Sequence, residues 1–261
     1  MVSVTLNGLR FSCRLDGENA AAPWLVFSNS LATNVTVWNA QVEALAGRFR
    51  ILRYDQRGHG RTEVPTEPYG LADLGRDAHA LLDRFEIERC AFVGLSMGVP
   101  TALQLLADCP GRIERLVLCD GQAQTAANGA RSWDERIAFA REAGMDAVAD
   151  VTVKRWFGAD FVASGKAEAM RRMIAATPLE GYVGGARALK NYAYAAVLPK
   201  IAVPALLIAG ARDGAIPEAM RAMSRSITGA RMVEIPDAGH IPNVEQAGAF
   251  NRVLDEFLAA T

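Results

Sequence analysis

A chain of 261 residues, 51% hydrophobic and 22% charged, is long enough to bury the core of one large domain, and nothing in it demands two. A net charge of -1 without any block of like charges excludes the electrostatic footprint of a nucleic-acid binder and a polybasic membrane patch, so the expected partner is a small molecule. No apolar run approaches the roughly 18 to 20 residues that cross a bilayer, and Met1 to Arg14 lacks the basic-then-apolar pattern of a secretory leader; a soluble, cytoplasmic protein is expected.

Polar and apolar residues alternate on both sides of Asn7-Gly8, a dipeptide that accepts the positive φ of a tight turn, which predicts an N-terminal hairpin. The pattern then changes to short continuous apolar runs at Trp24–Phe27, Ile51–Tyr54, Ala91–Val93, Leu116–Leu118, Ala205–Ala209 and Met232–Ile235, which read as strands buried on both faces. Between them, Val37–Ala46, Leu71–Phe85, Met97–Ala107, Pro217–Ser226 and Glu245–Ala259 are long enough for helices. Alternation of this kind implies an α/β fold, a mostly parallel eight-stranded sheet flanked by helices. The stretch from Thr125 to Leu198 has aromatic, Arg and Ala-rich helical pieces but no convincing strand. It reads as an inserted helical cap (125–198) on a core made of 1–124 and 199–261, bounded by the small-residue run Gly121–Gly129 and by Pro199 to Pro204.

Cys13, Cys90, Cys109 and Cys119 lack metal-ligand or C-x-x-C spacing and read as reduced packing residues, and no metal or cofactor is expected. Homo-oligomerisation is left open.

Between the run Ala91–Val93 and the helix-forming Thr101–Gln104 lies Gly94-Leu95-Ser96-Met97-Gly98, a G-x-S-x-G pattern in a strand-turn-helix setting. The pattern holds a serine hydroxyl on a strained turn above the sheet, and the glycines remove side chains that would collide with the flanking strand and helix. A serine needs a base, and the chain has three histidines. His240 follows the last strand, where the order Ser, Asp, His puts the base. His59, in the turn Gly58-His59-Gly60, reads as structural, and His79 sits within a helix. For the carboxylate that orients the base, Asp213 follows the run ending at Ala209, where sites in α/β sheets collect. Asp120, after Leu116–Cys119, is its rival. Asp55 and Asp73 read as turn and helix-start residues. An oxyanion hole needs two backbone N–H donors: Met97, after the serine, and Leu31, in the loop after the first parallel strand.

The chain resembles the α/β-hydrolase superfamily from end to end, and within it the 3-oxoadipate enol-lactonases. The resemblance rests on the elbow and on five further motifs: Val26-Phe27-Ser28-Asn29-Ser30-Leu31, Leu52-Arg53-Tyr54-Asp55-Gln56-Arg57-Gly58-His59-Gly60, Arg155-Trp156-Phe157, Ala175-Ala176-Thr177-Pro178-Leu179-Glu180-Gly181-Tyr182 and Asn243-Val244-Glu245-Gln246. Ala32 and Val99 depart from it, standing where glycine is usual, and Val99 is expected to narrow the space beside the elbow helix and so to change the acyl pocket. The resemblance implies hydrolysis of a small carboxylated enol-lactone in aromatic degradation by a Ser96, His240 and Asp213 triad without a cofactor. The substrate carboxylate calls for a cation, with Arg131, Arg136, Arg187 and Lys190 as candidates. Trp133, Trp156 and Tyr182 would wall the pocket, so the expected substrate contacts are Trp133, Arg136, Trp156 and Tyr182. A carboxylesterase for small esters or a hydrolase of carbon-carbon bonds would use the same triad. A dehalogenase would need Asp in place of Ser96, and a non-enzymatic receptor would have no chemical need of a complete triad.

Overall fold

The computed structural model describes residues 1–260. The hairpin forms as its turn chemistry requires: β1 (Val2–Leu6) pairs antiparallel with β2 (Leu9–Asp16), and Asn7 and Gly8 both take positive φ. Next come β3 (Trp24–Ser28), a 3-10 turn over Val35–Trp38, α1 (Asn39–Leu45), β4 (Arg50–Tyr54), α2 (Leu71–Arg84), β5 (Cys90–Leu95), α3 (Gly98–Asp108) and β6 (Ile113–Cys119). Four helices follow before the sheet resumes: α4 (Gly129–Trp156), α5 (Ala159–Ala163), α6 (Glu168–Ala175) and α7 (Leu179–Ala188). The chain then completes β7 (Ala205–Gly210), α8 (Ile216–Arg225), β8 (Arg231–Ile235), α9 (Pro242–Glu245) and α10 (Ala247–Ala259).

The eight strands form one sheet in the order β1-β2-β4-β3-β5-β6-β7-β8, antiparallel at β1, β2 and β4 and parallel from there on. Side-chain alternation divides the central strands between two cores. Leu25, Phe27, Val93, Leu206 and Ile208 face α1, α10 and the inserted helices, while Val26, Phe92, Leu207 and Ala209 face α2, α3 and α8. Burial on both faces explains why these strands read as continuous apolar runs. Two expected helices differ in detail. Val37–Ala46 opens as a 3-10 turn before α1, and Glu245–Ala259 divides into α9 and α10 at Gln246, which has extended φ.

The loop after β3 is tied down by buried polar contacts. Asn29 donates to the Tyr54 carbonyl and accepts from the Trp38 indole N–H, both at 2.9 Å, and its own carbonyl accepts from Gln56. Asp55 does more than mark a turn. It is buried and accepts the N–H groups of Val35 (2.8 Å) and Arg61 (2.9 Å), joining the loops after β3 and β4. All four cysteines are free thiols, and burial pushes those of Cys13 and Cys90 up to about 12. Among the described residues no helix is long and apolar enough to cross a membrane.

Candidate active site

The turn between β5 and α3 holds Ser96 at φ +53°, a left-handed conformation that a residue with a side chain adopts only at a cost. The turn can close because of its glycines. A Cβ on Gly94 would lie 2.2 Å from the Gly98 carbonyl oxygen, and one on Gly98 would lie 2.4 Å from that of Ser28. The Ser96 N–H donates to the Cys119 carbonyl at 2.8 Å, which fixes the turn to β6.

His240 and Asp213 come to this serine from the loops after β8 and β7. His240 Nε2 lies 2.9 Å from Ser96 Oγ, and Nδ1 lies 2.6 Å from Asp213 Oδ2. Because a carboxylate only accepts, Nδ1 carries the proton and Nε2 is left as the acceptor facing the serine hydroxyl. A hydroxyl held this way can give up its proton as it attacks an electrophile, with the carboxylate stabilising the imidazolium that forms. The structure thus brings together all three residues chosen from the sequence. Of the two candidate acids, Asp213 bonds the imidazole, whereas Asp120 lies beside it, fully buried, with Oδ1 accepting the Gly210 N–H at 2.8 Å. One ligand-type atom each from Asp120, Asp213 and His240 falls within 4.8 Å of the others.

The other two histidines lie elsewhere. His79 on α2 meets Arg112 and Asp83. His59 is fully buried, its Nδ1 bonded to the Arg57 carbonyl, and burial lowers its pKa to about 4.

Leu31 and Met97 present backbone N–H groups that, among the described residues, have no internal acceptor. Leu31 lines the cavity over Ser96, and Met97, fully buried, follows the serine directly. Ala32 takes φ +59°, the left-handed conformation that accounts for the glycine expected at its position. Val99, expected to narrow the space beside the elbow helix and so to change the acyl pocket, does not line that pocket. It packs into the core beneath α2 and α3. The extra methyls are accommodated by Gly121, where a Cβ would lie 2.6 Å from Val99 Cβ and Cγ2.

The cavity measures about 440 Å³, and Trp133, Arg136, Trp156 and Tyr182 all line it. Trp156 is nearly buried, with its ring 5.4 Å from that of His240. Tyr182 is also buried, which raises its pKa, while Arg136 and Arg155 act to lower it. Of the four candidate cations only Arg136 reaches the cavity. Arg131 pairs with Glu135, Lys190 pairs with Asp134 and Arg187 is exposed.

A second cation that sequence reasoning had not nominated, Arg155, lines the same cavity. The side chain is exposed overall, yet the protein around its guanidinium lowers its pKa, desolvation first and the like charge of Arg136 second. Among the described residues neither guanidinium pairs with a carboxylate; Arg136 lies 4.6 Å from the centroid of the Trp133 ring. Both belong to α4, which is broken at Gly144 (φ +79°, ψ 171°). The break interrupts the helical phase between them, so periodicity counted along the chain cannot show that both side chains line one cavity. The one signal in the sequence was the position of Arg155 within the Arg155-Trp156-Phe157 motif.

Similarity to known proteins agrees with this geometry. The family described as alpha/beta hydrolase fold matches residues 23–247. The chain is 33% identical to 3-oxoadipate enol-lactonase 2 of Acinetobacter baylyi over 238 residues, 90% of this chain and 88% of that protein. Among solved structures, the enol-lactonase from Burkholderia xenovorans LB400 superposes with a TM-score of 0.94 at 41% identity, covering 99% of this chain and 100% of the other. A thermophilic esterase from Thermogutta terrifontis, solved with malate bound, gives 0.88 at 26% identity over 98% and 96% of the two chains. With an eight-stranded sheet, the serine turn and matches over nearly its whole length, the chain belongs to the α/β-hydrolase fold family and is a hydrolase.

Proposed function

We propose that this hydrolase opens the lactone ring of a small carboxylated enol-lactone, with 3-oxoadipate enol-lactone as the substrate, by way of a Ser96 acyl-enzyme. The observation that carries the reading is the make-up of one cavity. The hydrogen-bonded chain Ser96, His240 and Asp213 lines one part of it, and the unpaired guanidiniums of Arg136 and Arg155 line another. A neutral ester has no use for two cations without a carboxylate partner, whereas the carboxylate that such a lactone keeps outside its ring does. The likeness to enol-lactonases of two organisms supports the same substrate.

In this reading His240 takes the Ser96 proton as Oγ attacks the ring carbonyl, and Asp213 holds the imidazolium. The N–H groups of Leu31 and Met97 receive the oxyanion. Collapse of the tetrahedral intermediate expels the enolate, which takes a proton and becomes a ketone still tethered to the acyl group. Water, deprotonated by His240, then releases the second carboxylate. Residues 125–198 act as a cap over a core of 1–124 and 199–261, supplying Trp133, Arg136, Arg155, Trp156 and Tyr182 to the substrate.

The test is steady-state hydrolysis of 3-oxoadipate enol-lactone and of a short-chain p-nitrophenyl ester by the wild type and by Ser96→Ala. The expected result is a kcat/KM for the lactone above about 10⁴ M⁻¹s⁻¹ and well above that for the ester. Ser96→Ala should lower both by a factor of about 10³ or more. Preference for the ester would keep the triad and reject the lactone; full activity in Ser96→Ala would reject the triad.

A further inference from the structure

Asp120 lies next to the triad without bonding His240, and its environment is unusual for a carboxylate. It follows β6 at φ +45° and is fully buried. Oδ1 accepts the Gly210 N–H at 2.8 Å, and the backbone N–H of Asp120 donates to the Ile208 carbonyl at 3.0 Å. Gly210 begins the turn that carries Asp213, whose own N–H returns to the Gly210 carbonyl at 3.0 Å. Oδ2 of Asp120 is buried with no donor in reach. A charged oxygen in that position would be strongly disfavoured, yet its neighbour is the carboxylate of Asp213.

We propose that Asp120 is a protonated positioning residue, whose Oδ2–H donates to the Asp213 carboxylate while Oδ1 holds the Gly210 N–H at the base of the turn that carries Asp213. The single proton satisfies the orphaned oxygen and removes the repulsion between two adjacent carboxylates. The electrostatics agree in direction. Burial first, and the charge of Asp213 second, hold the Asp120 carboxyl well above the usual carboxylate range, against the weaker pull of the Gly210 N–H.

The other ionisable groups around Asp120 are few. One atom of His240 lies within 4.8 Å of it and of Asp213, and the adjacent Cys119 thiol is pushed up chiefly by burial. Among the described residues no cation contributes to the shift of Asp120, and the guanidinium of Arg155 feels the charge of Asp213. The consequence falls on His240. An ionised Asp120 would add a second negative charge beside the imidazole and favour its protonated form, whereas a neutral Asp120 adds none.

The inference rests on the triad reading above, and its test separates the two. The histidine ring signals of the wild type, Asp120→Asn and Asp120→Ala are titrated by NMR, and the pH profile of p-nitrophenyl ester hydrolysis is recorded beside them. An asparagine replaces a neutral acid with a neutral amide that can still donate to Asp213 and accept from Gly210. The His240 midpoint in Asp120→Asn should therefore stay within about 0.3 pH units of the wild type, and the acid limb of kcat/KM with it.

Asp120→Ala should lower kcat about tenfold with KM little changed, and Asp120→Asn should recover all but about threefold of that activity. Were Asp120 ionised, Asp120→Asn would delete a negative charge beside the imidazole and move the midpoint down by about one unit or more, which would overturn the proposal. Equal loss of activity in both variants would also overturn it. Should Asp120→Ala fail to fold, the Asp120→Asn titration decides alone. Because it reads His240 directly, it does so even if the protein turns over neither substrate.

Discussion

The carbonyl of Trp156 accepts the backbone N–H of His240 at 2.8 Å, and the indole lies against the imidazole with ring centroids 5.4 Å apart. The last residue of α4 therefore buttresses the loop after β8, and a Cβ on Gly239 would lie 2.2 Å from the same carbonyl. Trp156→Ala removes the wall behind the base and opens a void, which should destabilise the protein by about 3–5 kcal/mol. Trp156→Phe keeps a ring there and should cost less than half as much, while lowering kcat about tenfold as the imidazole gains freedom. Chemical denaturation and ester turnover of the two variants check this, and an unchanged kcat in Trp156→Phe would show that the indole does not position the base.

Neutralising the two cavity arginines should separate carboxylated from neutral substrates. Arg136→Gln and Arg155→Gln are each expected to raise KM for the enol-lactone about 10- to 100-fold, the range for losing a hydrogen bond to a charged group, with little effect on a neutral p-nitrophenyl ester. Equal effects on both substrates would mean that these residues shape the cavity instead of reading charge.

Gly144 separates the two limbs of α4 that carry Arg136 and Arg155, and its φ of +79° with ψ of 171° lies in a region that is essentially glycine's alone. Space is not the obstacle, since a Cβ there would meet nothing within 4 Å. Gly144→Ala should therefore cost about 1–3 kcal/mol through backbone strain, and should raise KM for the carboxylated substrate if the limbs of α4 straighten. Thermal denaturation and substrate saturation would reveal both effects, and a variant as stable as the wild type would contradict the strain argument.

His59 should make the protein sensitive to acid. Its Nδ1–H donates to the Arg57 carbonyl, its Nε2 is buried without a partner, and burial lowers its pKa from 6.5 to about 4. A depressed histidine pKa means that the unfolded chain binds the proton more readily. Stability is thus complete above pH 6.5 and falls as pH drops towards 4, by about 3 kcal/mol in total, and then levels off. In His59→Asn this component should vanish, so the two Tm-against-pH curves should diverge within that window. Parallel curves would exclude His59 as the source.

The elements and the residues of the Ser96, His240 and Asp213 hydrogen-bonded chain were legible because most of their signals are local. A strand buried on both faces must be apolar along its length, and a serine on a sharp turn needs the two glycines that Gly94 and Gly98 supply. Chain order then selected His240 among three histidines and favoured Asp213, and the hydrogen bonds join those two residues to Ser96. Trp133, Arg136, Trp156 and Tyr182 were chosen as substrate contacts, and all four line the cavity.

Only the tertiary structure decided the rest, because those features depend on distances between segments remote in sequence. The orientation of Val99 into the core beneath α3 depends on the space that Gly121 leaves in another strand's loop. Arg155 joins Arg136 in one cavity although the break at Gly144 separates them on two limbs of α4. Asp120 and Asp213 looked like rivals for one role in the linear sequence. The adjacency of β6 and β7 in the sheet sets them side by side, each bonded to a different partner. Apolar patterning and turn chemistry, being local, determined the architecture and the candidate site residues, whereas charge and burial at the site follow from packing across the whole chain.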